Sequence, residues 1–328
     1  MKQSTKNAGR VTIGIPTFNR SAFVVRAVRG ALAQTYTDLE IVVSDNCSPD
    51  DTVQRLEEIS DARLVLLRQP QNLGAVANLN ACLARATGEF FLLLSDDDIL
   101  QPNAIERLVA PFLTAPDGLE RNTIGLSWCP CDFVNAEGRR MWVSRAGPAI
   151  ESPVALILGL FNGVRSARMV SLMVRTEDAI AVGGYDMKRY GPLCDMGNWM
   201  RVALRYPYVV CIDELLASYT MHQMSGSSQG TLHEWLPYVN NFNEDLAASL
   251  SSHKDAASRR QIQIACKNNV SNVLATILMQ RAAIPGQLSH VFREIVRWRK
   301  YLLTPFVAKR LVRDGWKILR LRKRVALQ

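Results

Sequence analysis

The chain has 328 residues, of which 48% are hydrophobic and 21% are charged. This length and composition predict one large α/β domain with appendages or two ordinary domains, and they exclude a small binding module, a disordered chain and a fibrous repeat. The formal net charge of +9 is concentrated in residues 290–328, which hold 12 Lys and Arg against 2 Asp and Glu. The rest of the chain is nearly neutral.

Seven cysteines are scattered through apolar stretches. An odd number at such wide spacing is not typical of a disulfide framework and favours a reducing compartment. The polar N-terminal segment lacks the apolar centre of a signal peptide, and the chain lacks a run of about 18 apolar residues. We therefore expect neither a secretion signal nor a membrane span.

Apolar runs alternate with helical patterns in the first hundred residues, and we interpret the runs as strands at 11–15, 39–44, 63–67 and 89–94. Asn19 or Ser21 is expected to cap the first helix, Ser48 to cap the second with Pro49 at its first position, and Gly88 to end the third. Buried strands alternating with helices predict a mainly parallel sheet with helices on both faces, because parallel neighbours need crossover connections.

The remaining chain is predicted to change character once. Short strands at 125–129 and 169–174 precede a helical stretch around 195–205. From about residue 231 the pattern indicates long helical segments, including 257–283. We therefore place a domain boundary near residue 230.

Polar and acidic residues follow the predicted strands at one edge of the sheet. They are Pro16 to Asn19 after the first strand, Asp45 after the second, and Asp96 to Asp98 after the fourth. Ligands bind at this edge in open α/β sheets. No glycine-rich phosphate loop follows the first strand, which argues against dehydrogenases and P-loop proteins. A pyrophosphate bound here would need a divalent cation, and Mg²⁺ or Mn²⁺ prefers carboxylate oxygens.

The order and spacing of several motifs resemble the family 2 glycosyltransferases of the GT-A fold over roughly residues 10–228. The motifs are VTIGIPTFNR (11–20), IVVSDNCSPDDT (41–52), NLGAVANLNACLARATGEF (72–90), LLLSDDDILQPNAIERL (92–108), GGYD (183–186), CDMGNWMRVAL (194–204) and YTMHQMS (219–225). The resemblance implies an α/β, Rossmann-like GT-A fold with a mainly parallel sheet. It also implies transfer of a sugar from a nucleotide-diphosphate sugar donor to a hydroxyl acceptor.

The resemblance implies a division of the chain as well. Residues 1–230 would form the GT-A catalytic domain, with a nucleotide-sugar-binding half at 1–115 and an acceptor-binding half at 116–230. Helical spacing and basic charge predict that residues 231–328 form an α-helical, basic and amphipathic extension.

Carried over position by position, the resemblance implies a nucleotide-sugar site. Pro16, Thr17 and Phe18 would border the base, Asp45 would accept hydrogen bonds from base or ribose, and Asp96 would face the ribose. The implied nucleotide-sugar-binding residues are Pro16, Thr17, Phe18, Asn19, Asp45, Asn80 and Asp96.

The resemblance places a divalent metal, Mn²⁺ or Mg²⁺, on Asp97, with Asp98 and His222 as further metal-binding candidates. The local pattern is SDDD where many members have D-x-D-D, so Ser95 replaces the first carboxylate. Either Asp96 or Asp98 would then assist Asp97.

Asp195 is the implied catalytic base, in a Cys-Asp pair where the family commonly has Glu-Asp. A sugar hydroxyl is a poor nucleophile near neutral pH, so a carboxylate must take its proton. A single displacement of this kind inverts the anomeric configuration. The alternative interpretation is that Asp195 only favours the positive end of its helix dipole.

The basic tail has three interpretations. Apolar residues in 291–303 and 307–320 recur at helical spacing among Lys and Arg. Such helices bind the surface of anionic membranes, which predicts peripheral attachment to the cytoplasmic face of the inner membrane. Nucleic acid is not expected as a partner, because no nucleic-acid-binding motif accompanies the charge. Docking of the apolar stripes on the catalytic domain is the third interpretation.

Together these features predict an inverting, metal-dependent glycosyltransferase that acts on a lipid-linked glycan acceptor in the synthesis of a cell-surface polysaccharide: an exopolysaccharide, a lipopolysaccharide or an O-antigen. One alternative is a sugar-nucleotide nucleotidyltransferase, although such enzymes usually carry a glycine-rich and basic loop after the first strand. A second alternative is a non-catalytic adaptor that binds membrane or nucleic acid through its tail.

Overall fold

A computed structural model describes most of the first 250 residues and a few positions beyond them. The described residues are 7–116, 118–135, 137–221, 232–250, 260, 263–266, 268–270, 293 and 296–297. The chain divides into two compact units. The first comprises the residues up to 222, apart from 161–163 and 189–193, which belong with the residues from 223 onward in the second.

The first unit holds the strands. They are β1 (Asn7–Thr17), β2 (Leu39–Asp45), β3 (Leu64–Arg68), β4 (Gly88–Leu93), β5 (Ile99–Leu100), β6 (Ile124–Trp128), β7 (Cys131–Asn135), β8 (Arg140–Val143), β9 (Ile150–Glu151), β10 (Leu172–Arg175), β11 (Tyr208–Cys211) and β12 (Ala217–Met221). The helices are α1 (Ser21–Leu32), α2 (Thr52–Glu57), α3 (Ala75–Arg85), α4 (Ala104–Leu113), α5 (Pro153–Phe161), α6 (Thr176–Ala181), α7 (Met187–Tyr190), α8 (Cys194–Ala203) and α9 (Leu232–Leu250). Helix α9, the last residue of α5 and the last two residues of α7 belong to the second unit.

The strands form two sheets within the described part of the chain. The larger has eight strands in the order β3-β2-β1-β4-β10-β6-β11-β9, and the smaller has the order β5-β12-β7-β8. Strands β3, β2, β1 and β4 are parallel. Strand β10 runs antiparallel to both β4 and β6, so the sheet is mixed and mostly parallel. The predicted α/β class is confirmed.

The apolar runs form strands because the sheet is covered on both faces. Every residue of β2 is buried, which is expected of a strand between two helical layers. On one face, α1 packs Val24, Val28 and Ala31 into the core, at the helical spacing seen in the sequence.

The first two helices begin differently from the prediction, because the carboxylate of Asp50 accepts hydrogen bonds at the start of both. Asp50 accepts hydrogen bonds from the backbone N–H of Ser21, at 3.3 Å, and from that of Thr52, at 3.1 Å. Helix α2 therefore begins at Thr52 and not at Pro49, and the predicted cap by Ser48 is wrong. These bonds hold the pKa of Asp50 below its usual range, against the opposite effect of burial.

The predicted helix signals at Asn19, Ser21 and Gly88 are also wrong. The N-cap of α1 is Arg20, which makes no side-chain capping bond. Gly88 is the first residue of β4 and does not end a helix; a Cβ there would lie 2.7 Å from the carbonyl oxygen of Arg10. This glycine is required by close approach of two strands.

A second glycine in the sheet, Gly14, lies close to neighbouring side chains, and its substitution should affect stability. A Cβ on Gly14 of β1 would lie 2.6 Å from Phe91 Cζ and 2.9 Å from Cys82 Cβ. We expect Gly14→Ala to lower the free energy of unfolding by about 1–3 kcal/mol, because the core must be overpacked. Gly30→Ala in α1 is the matched control: its Cβ meets nothing within 4 Å, so it should stabilise by roughly 0.5–1 kcal/mol. Urea unfolding of both variants tests this, and equal effects would contradict it.

The second unit is described by α9 and short neighbouring segments. Phe242 of α9 packs its ring against Phe161 and Tyr190, with centroids 5.7 and 6.0 Å away. Asp245 accepts hydrogen bonds from Arg189 and Tyr190. None of the helices in the described ranges is both long enough and apolar enough to cross a membrane. The predicted amphipathic stretch at 307–320 and most of the predicted stretch at 291–303 and of the predicted helix 257–283 lie outside the described residues.

Candidate active site

The carboxyl ends of β1, β2 and β4 bring three predicted site residues together. Thr17 and Asp45 are register partners at the ends of β1 and β2. The Thr17 hydroxyl donates a hydrogen bond of 2.8 Å to the carboxylate of Asp96, which follows β4. The predicted edge of the sheet therefore carries a group of buried polar side chains.

Asn78 on α3 fixes this edge, and the sequence analysis missed it. Its buried side-chain amide donates to the carbonyl oxygens of Thr17 and Ser44, at 3.2 and 2.9 Å. Its Oδ1 accepts the Ser44 hydroxyl at 2.6 Å. A buried amide satisfied in this way locks the ends of β1 and β2 together. An asparagine in the helix that follows the third strand was the available signal.

Asn80, predicted to bind the nucleotide sugar, is bonded to the loop after α6. Its Nδ2 donates to the carbonyl oxygen of Tyr185 at 2.8 Å, and its Oδ1 accepts the Tyr185 N–H at 2.9 Å. The preceding Gly184 has φ of +64°, and a Cβ on it would lie 2.5 Å from Asn80 Oδ1. The Asn80 side chain thus holds the GGYD turn in place.

Asp45 presents a buried oxygen that no described residue satisfies. Its Oδ2 accepts the Ser48 N–H at 3.0 Å, while its Oδ1 is buried with no hydrogen-bond partner among the described residues. An unsatisfied buried carboxylate oxygen is costly and suits a hydrogen-bond donor brought by a ligand.

The loop after β1 carries an exposed aromatic ring, Phe18, next to β2, the strand that ends at Asp45. Phe18 is 42% exposed, and Pro16 is half-buried. Asn19 has φ of +55°, and its N–H donates to the Ser48 hydroxyl at 2.8 Å, which joins the loops after β1 and β2. An exposed ring at such a position is suited to stacking against a base.

Arg20 connects two of the three consecutive aspartates. Its Nη1 lies 3.0 Å from Asp96 Oδ1 and 2.9 Å from Asp97 Oδ2. Burial raises the pKa of Asp96 above its usual range, and the adjacent Asp97 raises it further, while the charge of Arg20 opposes both. Sequence analysis assigned nothing to Arg20, although it follows directly on the Pro-Thr-Phe-Asn loop.

Asp98 faces a different direction from Asp96 and Asp97. It is fully buried, and its Oδ1 accepts the backbone N–H of Thr220 on β12 at 2.8 Å. The Thr220 hydroxyl donates to the carbonyl oxygen of Asp97 at 2.6 Å. Burial raises the pKa of Asp98 well above its usual range, with a further contribution from Asp97. In this position Asp98 ties the acidic turn to β12.

This position predicts a stability effect. Asp98→Ala removes the acceptor of a buried N–H, so we expect the free energy of unfolding to fall by about 1–3 kcal/mol. Asp98→Asn keeps an acceptor oxygen and should cost less than half as much. Thermal unfolding at neutral pH measures both. Equal losses for the two variants would show that the bond to Thr220 does not carry the effect.

The donor set fits a divalent cation that shares its ligands with a substrate. No group of three or more His, Cys, Asp or Glu poised to hold a metal occurs among the described residues. Mg²⁺ in nucleotide enzymes, however, is usually held by one or two carboxylates together with phosphates and water. Asp96 and Asp97 are two carboxylates of this kind, and they lie close together, because an oxygen of each is within 3.0 Å of Arg20 Nη1. His222 lies outside the described residues.

Asp195 stands in the first turn of α8 and lines a small cavity. The cavity is also lined by Leu93 at the end of β4 and by Tyr185 and Trp199. Burial raises the pKa of Asp195, while the backbone N–H of Met196 and the charge of Arg168 oppose the increase. A carboxylate whose proton affinity is raised is a better general base. The neighbouring Cys194 thiol is buried, with its pKa raised to about 12, so it is not a second acid.

Comparisons with known proteins find similarity to one family in the first third of the chain. Residues 12–120 match the model described as glycosyl transferase family 2. Over 103 residues the chain is 38% identical to the GalNAc(5)-diNAcBac-PP-undecaprenol beta-1,3-glucosyltransferase of Campylobacter jejuni, a match that covers 30% of this chain and 33% of that protein. The chain spans about a third of the length of the curated relatives it matches (33%, 33% and 34%).

Solved structures resemble the chain over most of its length. Staphylococcus aureus TarS 1-349 in complex with UDP-GlcNAc has a TM-score of 0.57 at 16% identity, covering 89% of this chain and 80% of that one. The mannosyltransferase PcManGT from Pyrobaculum calidifontis, in complex with GDP-Man and Mn²⁺, has a TM-score of 0.55 at 17% identity, covering 94% and 85%. This likeness confirms the predicted GT-A fold.

Proposed function

We propose that residues 12–120, which match the family 2 glycosyltransferase model, form a glycosyltransferase domain, and that the whole protein transfers a sugar from a nucleotide-diphosphate sugar to a hydroxyl acceptor with inversion. The observation that carries this proposal is that the Asp96–Asp97 pair and Asp195 both lie near the carboxyl end of β4. Asp96 and Asp97 follow β4, and Asp195 lines a cavity with Leu93 near the end of that same strand. A donor phosphate site and a base therefore adjoin.

The donor nucleotide would lie across the ends of β1 and β2. Asp45 Oδ1, which lacks a partner among the described residues, would accept a hydrogen bond from base or ribose. The exposed Phe18 ring would stack on the base. Thr17 already orients Asp96, whose carboxylate would face the ribose. UDP-GlcNAc and GDP-Man are bound by the two structural neighbours, which supports a donor of this class.

Asp97, assisted by Asp96, would hold a divalent cation. When bound, such a cation stabilises the negative charge that develops on the departing diphosphate. Arg20 contributes a positive charge that holds the two carboxylates close together, with its Nη1 at 3.0 Å from Asp96 and 2.9 Å from Asp97. The Mn²⁺ in the PcManGT complex supports a metal in this protein as well.

Asp195 would act on the acceptor. Its carboxylate takes the proton from the acceptor hydroxyl as the oxygen bonds to the anomeric carbon and the bond to the diphosphate breaks. With one base and no covalent sugar intermediate, the displacement is direct and the anomeric configuration inverts. Asn198 and Trp199 shape the wall beside Asp195.

The acceptor is proposed to be a lipid-linked glycan in cell-surface polysaccharide synthesis. The Campylobacter jejuni relative acts, by its name, on an undecaprenol diphosphate saccharide, which supports this acceptor class. Attachment of the basic C-terminal stretch to the cytoplasmic face of the inner membrane stays a prediction. Deletion of residues 290–328 should then reduce binding to anionic vesicles and activity on a polyprenyl-linked acceptor.

A donor panel tests the proposal against its alternatives. The protein is incubated with UDP-, GDP- and dTDP-sugars and Mn²⁺, with and without polyprenyl-diphosphate saccharides. A transferase releases nucleoside diphosphate, a nucleotidyltransferase releases pyrophosphate, and an adaptor releases neither. Proton NMR of the product then reports the anomeric configuration, and retention would contradict a single displacement.

A further inference from the structure

Arg168 is a cation near the proposed base that the proposed function does not use. It directly precedes a 3-10 turn at Met169–Ser171. The central carbon of its guanidinium lies 5.2 Å from the ring centroid of Phe133 on β7 and 5.2 Å from that of Tyr219 on β12. Both distances are typical of cation–π contacts. Two rings from neighbouring strands therefore fix its position.

The charge of Arg168 is not paired with a carboxylate in the part of the chain that is described. No salt bridge within 4.0 Å involves it there, whereas Arg165, three residues earlier, pairs with Glu151. Its Nη1 donates one long hydrogen bond of 3.4 Å to the carbonyl oxygen of Ala167. Its Nε is buried and has no partner among the described residues. Rings hold a guanidinium without neutralising it, so its field reaches beyond its contacts.

That field acts on Asp195. Met169, adjacent to Arg168, lines the same cavity as Asp195. Burial raises the pKa of Asp195, and Arg168 is the side-chain charge that opposes the increase. Burial and Asp97 likewise raise the pKa of Asp98, and Arg168 opposes them there too. One cation thus serves two buried acids without being bonded to either.

Two other titratable side chains interact with the charge of Asp195, and both are neutral near pH 7. They are Tyr185, from the loop after α6, and Cys194, from α8 itself. Burial raises the pKa of Tyr185 well above its usual range and that of Cys194 to about 12. Among the described residues, Arg168 is therefore the formal positive charge that compensates Asp195.

We propose that Arg168 is a positioning residue that keeps Asp195 ionised, so that the base is ready to accept a proton at neutral pH. The proposal rests on the proposed function, in which Asp195 is that base. A direct ion pair would occupy the carboxylate oxygens and reduce their basicity. Two rings hold the Arg168 guanidinium more than 4 Å from the Asp195 carboxylate. At that distance the cation stabilises the negative charge of Asp195 and leaves its oxygens accessible to the acceptor hydroxyl.

The pH profile of kcat/KM tests this role with Arg168→Met and Arg168→Lys. Methionine retains packing against the rings and removes the charge, so the acid limb should move to higher pH. We expect kcat/KM about tenfold below wild type at the acid end and within about threefold at the alkaline end. Lysine should restore the wild-type limb. Arg145→Met, at an exposed site, is the control for loss of one positive charge.

Titration by NMR separates this inference from the proposed function. The protein is labelled with carboxyl-¹³C aspartate, and the Asp195 signal is assigned from its absence in Asp195→Asn. Arg168→Met should raise the titration midpoint of that signal whether or not a donor is found. An unchanged midpoint, or a rise in KM alone with an unchanged acid limb, would overturn the inference. An absence of sugar transfer with a raised midpoint would overturn only the proposed function.

Discussion

Asp195→Asn is expected to lower kcat by about 10²–10⁴-fold, the usual contribution of a positioned general base. The amide has the shape of the carboxylate but cannot accept the proton of the acceptor hydroxyl. Donor affinity should stay within about twofold of wild type, because Asp195 lies in the cavity beside Leu93 and Tyr185 and not among the groups at the ends of β1 and β2. Steady-state kinetics with acceptor and calorimetric titration with donor measure the two quantities.

The matched control for this variant is Asp213→Asn, the same substitution at an exposed aspartate. It should leave kcat and donor affinity unchanged. The helix-dipole interpretation of Asp195 predicts a different pattern, since a first-turn acid contributes to stability and not to turnover. A variant that loses stability but keeps kcat would therefore support the dipole role and reject the base.

Asp97→Ala is expected to abolish the metal-dependent part of donor binding. In the wild type, Mn²⁺ should strengthen donor affinity on the order of 100-fold relative to EDTA, because the cation joins carboxylate and diphosphate. The variant leaves Arg20 paired with Asp96 alone, and its donor affinity should be the same with either addition. Titration calorimetry under both conditions gives the comparison.

Asp98→Asn serves as the control for the metal prediction. Asp98 is buried against Thr220, so its substitution should preserve the response to Mn²⁺. The opposite pattern, with the response lost in Asp98→Asn and kept in Asp97→Ala, would exchange the roles of the two residues. Equal loss of donor affinity in Asp97→Ala and Asp195→Asn would contradict the separation between donor site and base.

Local sequence was sufficient to predict the parallel half of the sheet. Strands such as β2 are buried on both faces and contain an uninterrupted apolar run, here Ile41 to Val43, and this pattern identifies them without knowledge of the partner. The position of Asp45 and Asp96 at one edge follows from the same rule, because the carboxyl ends of parallel strands meet there. This part of the site depends on topology and was predictable.

Features that depend on distant partners were not predictable. Asp50 accepts N–H bonds at the first residues of two helices because it meets Ser21 from another loop, whereas the local sequence gives equal reason to choose Ser48. Asn78 and Arg168 have roles that arise only when strands far apart in sequence become neighbours. The antiparallel insertion of β10 between β4 and β6 is likewise a long-range pairing.

Two consecutive residues of strand β12 contact different parts of the candidate site. Tyr219 supports the guanidinium of Arg168 on one face, while Thr220 holds the acidic turn through its amide and hydroxyl. Adjacent strand residues point to opposite faces, so a shift of this short segment displaces both partners at once. Substitutions along residues 217–221 should therefore impair donor binding and proton abstraction together. If donor and acceptor were served by separate sets of residues, the two defects would be independent.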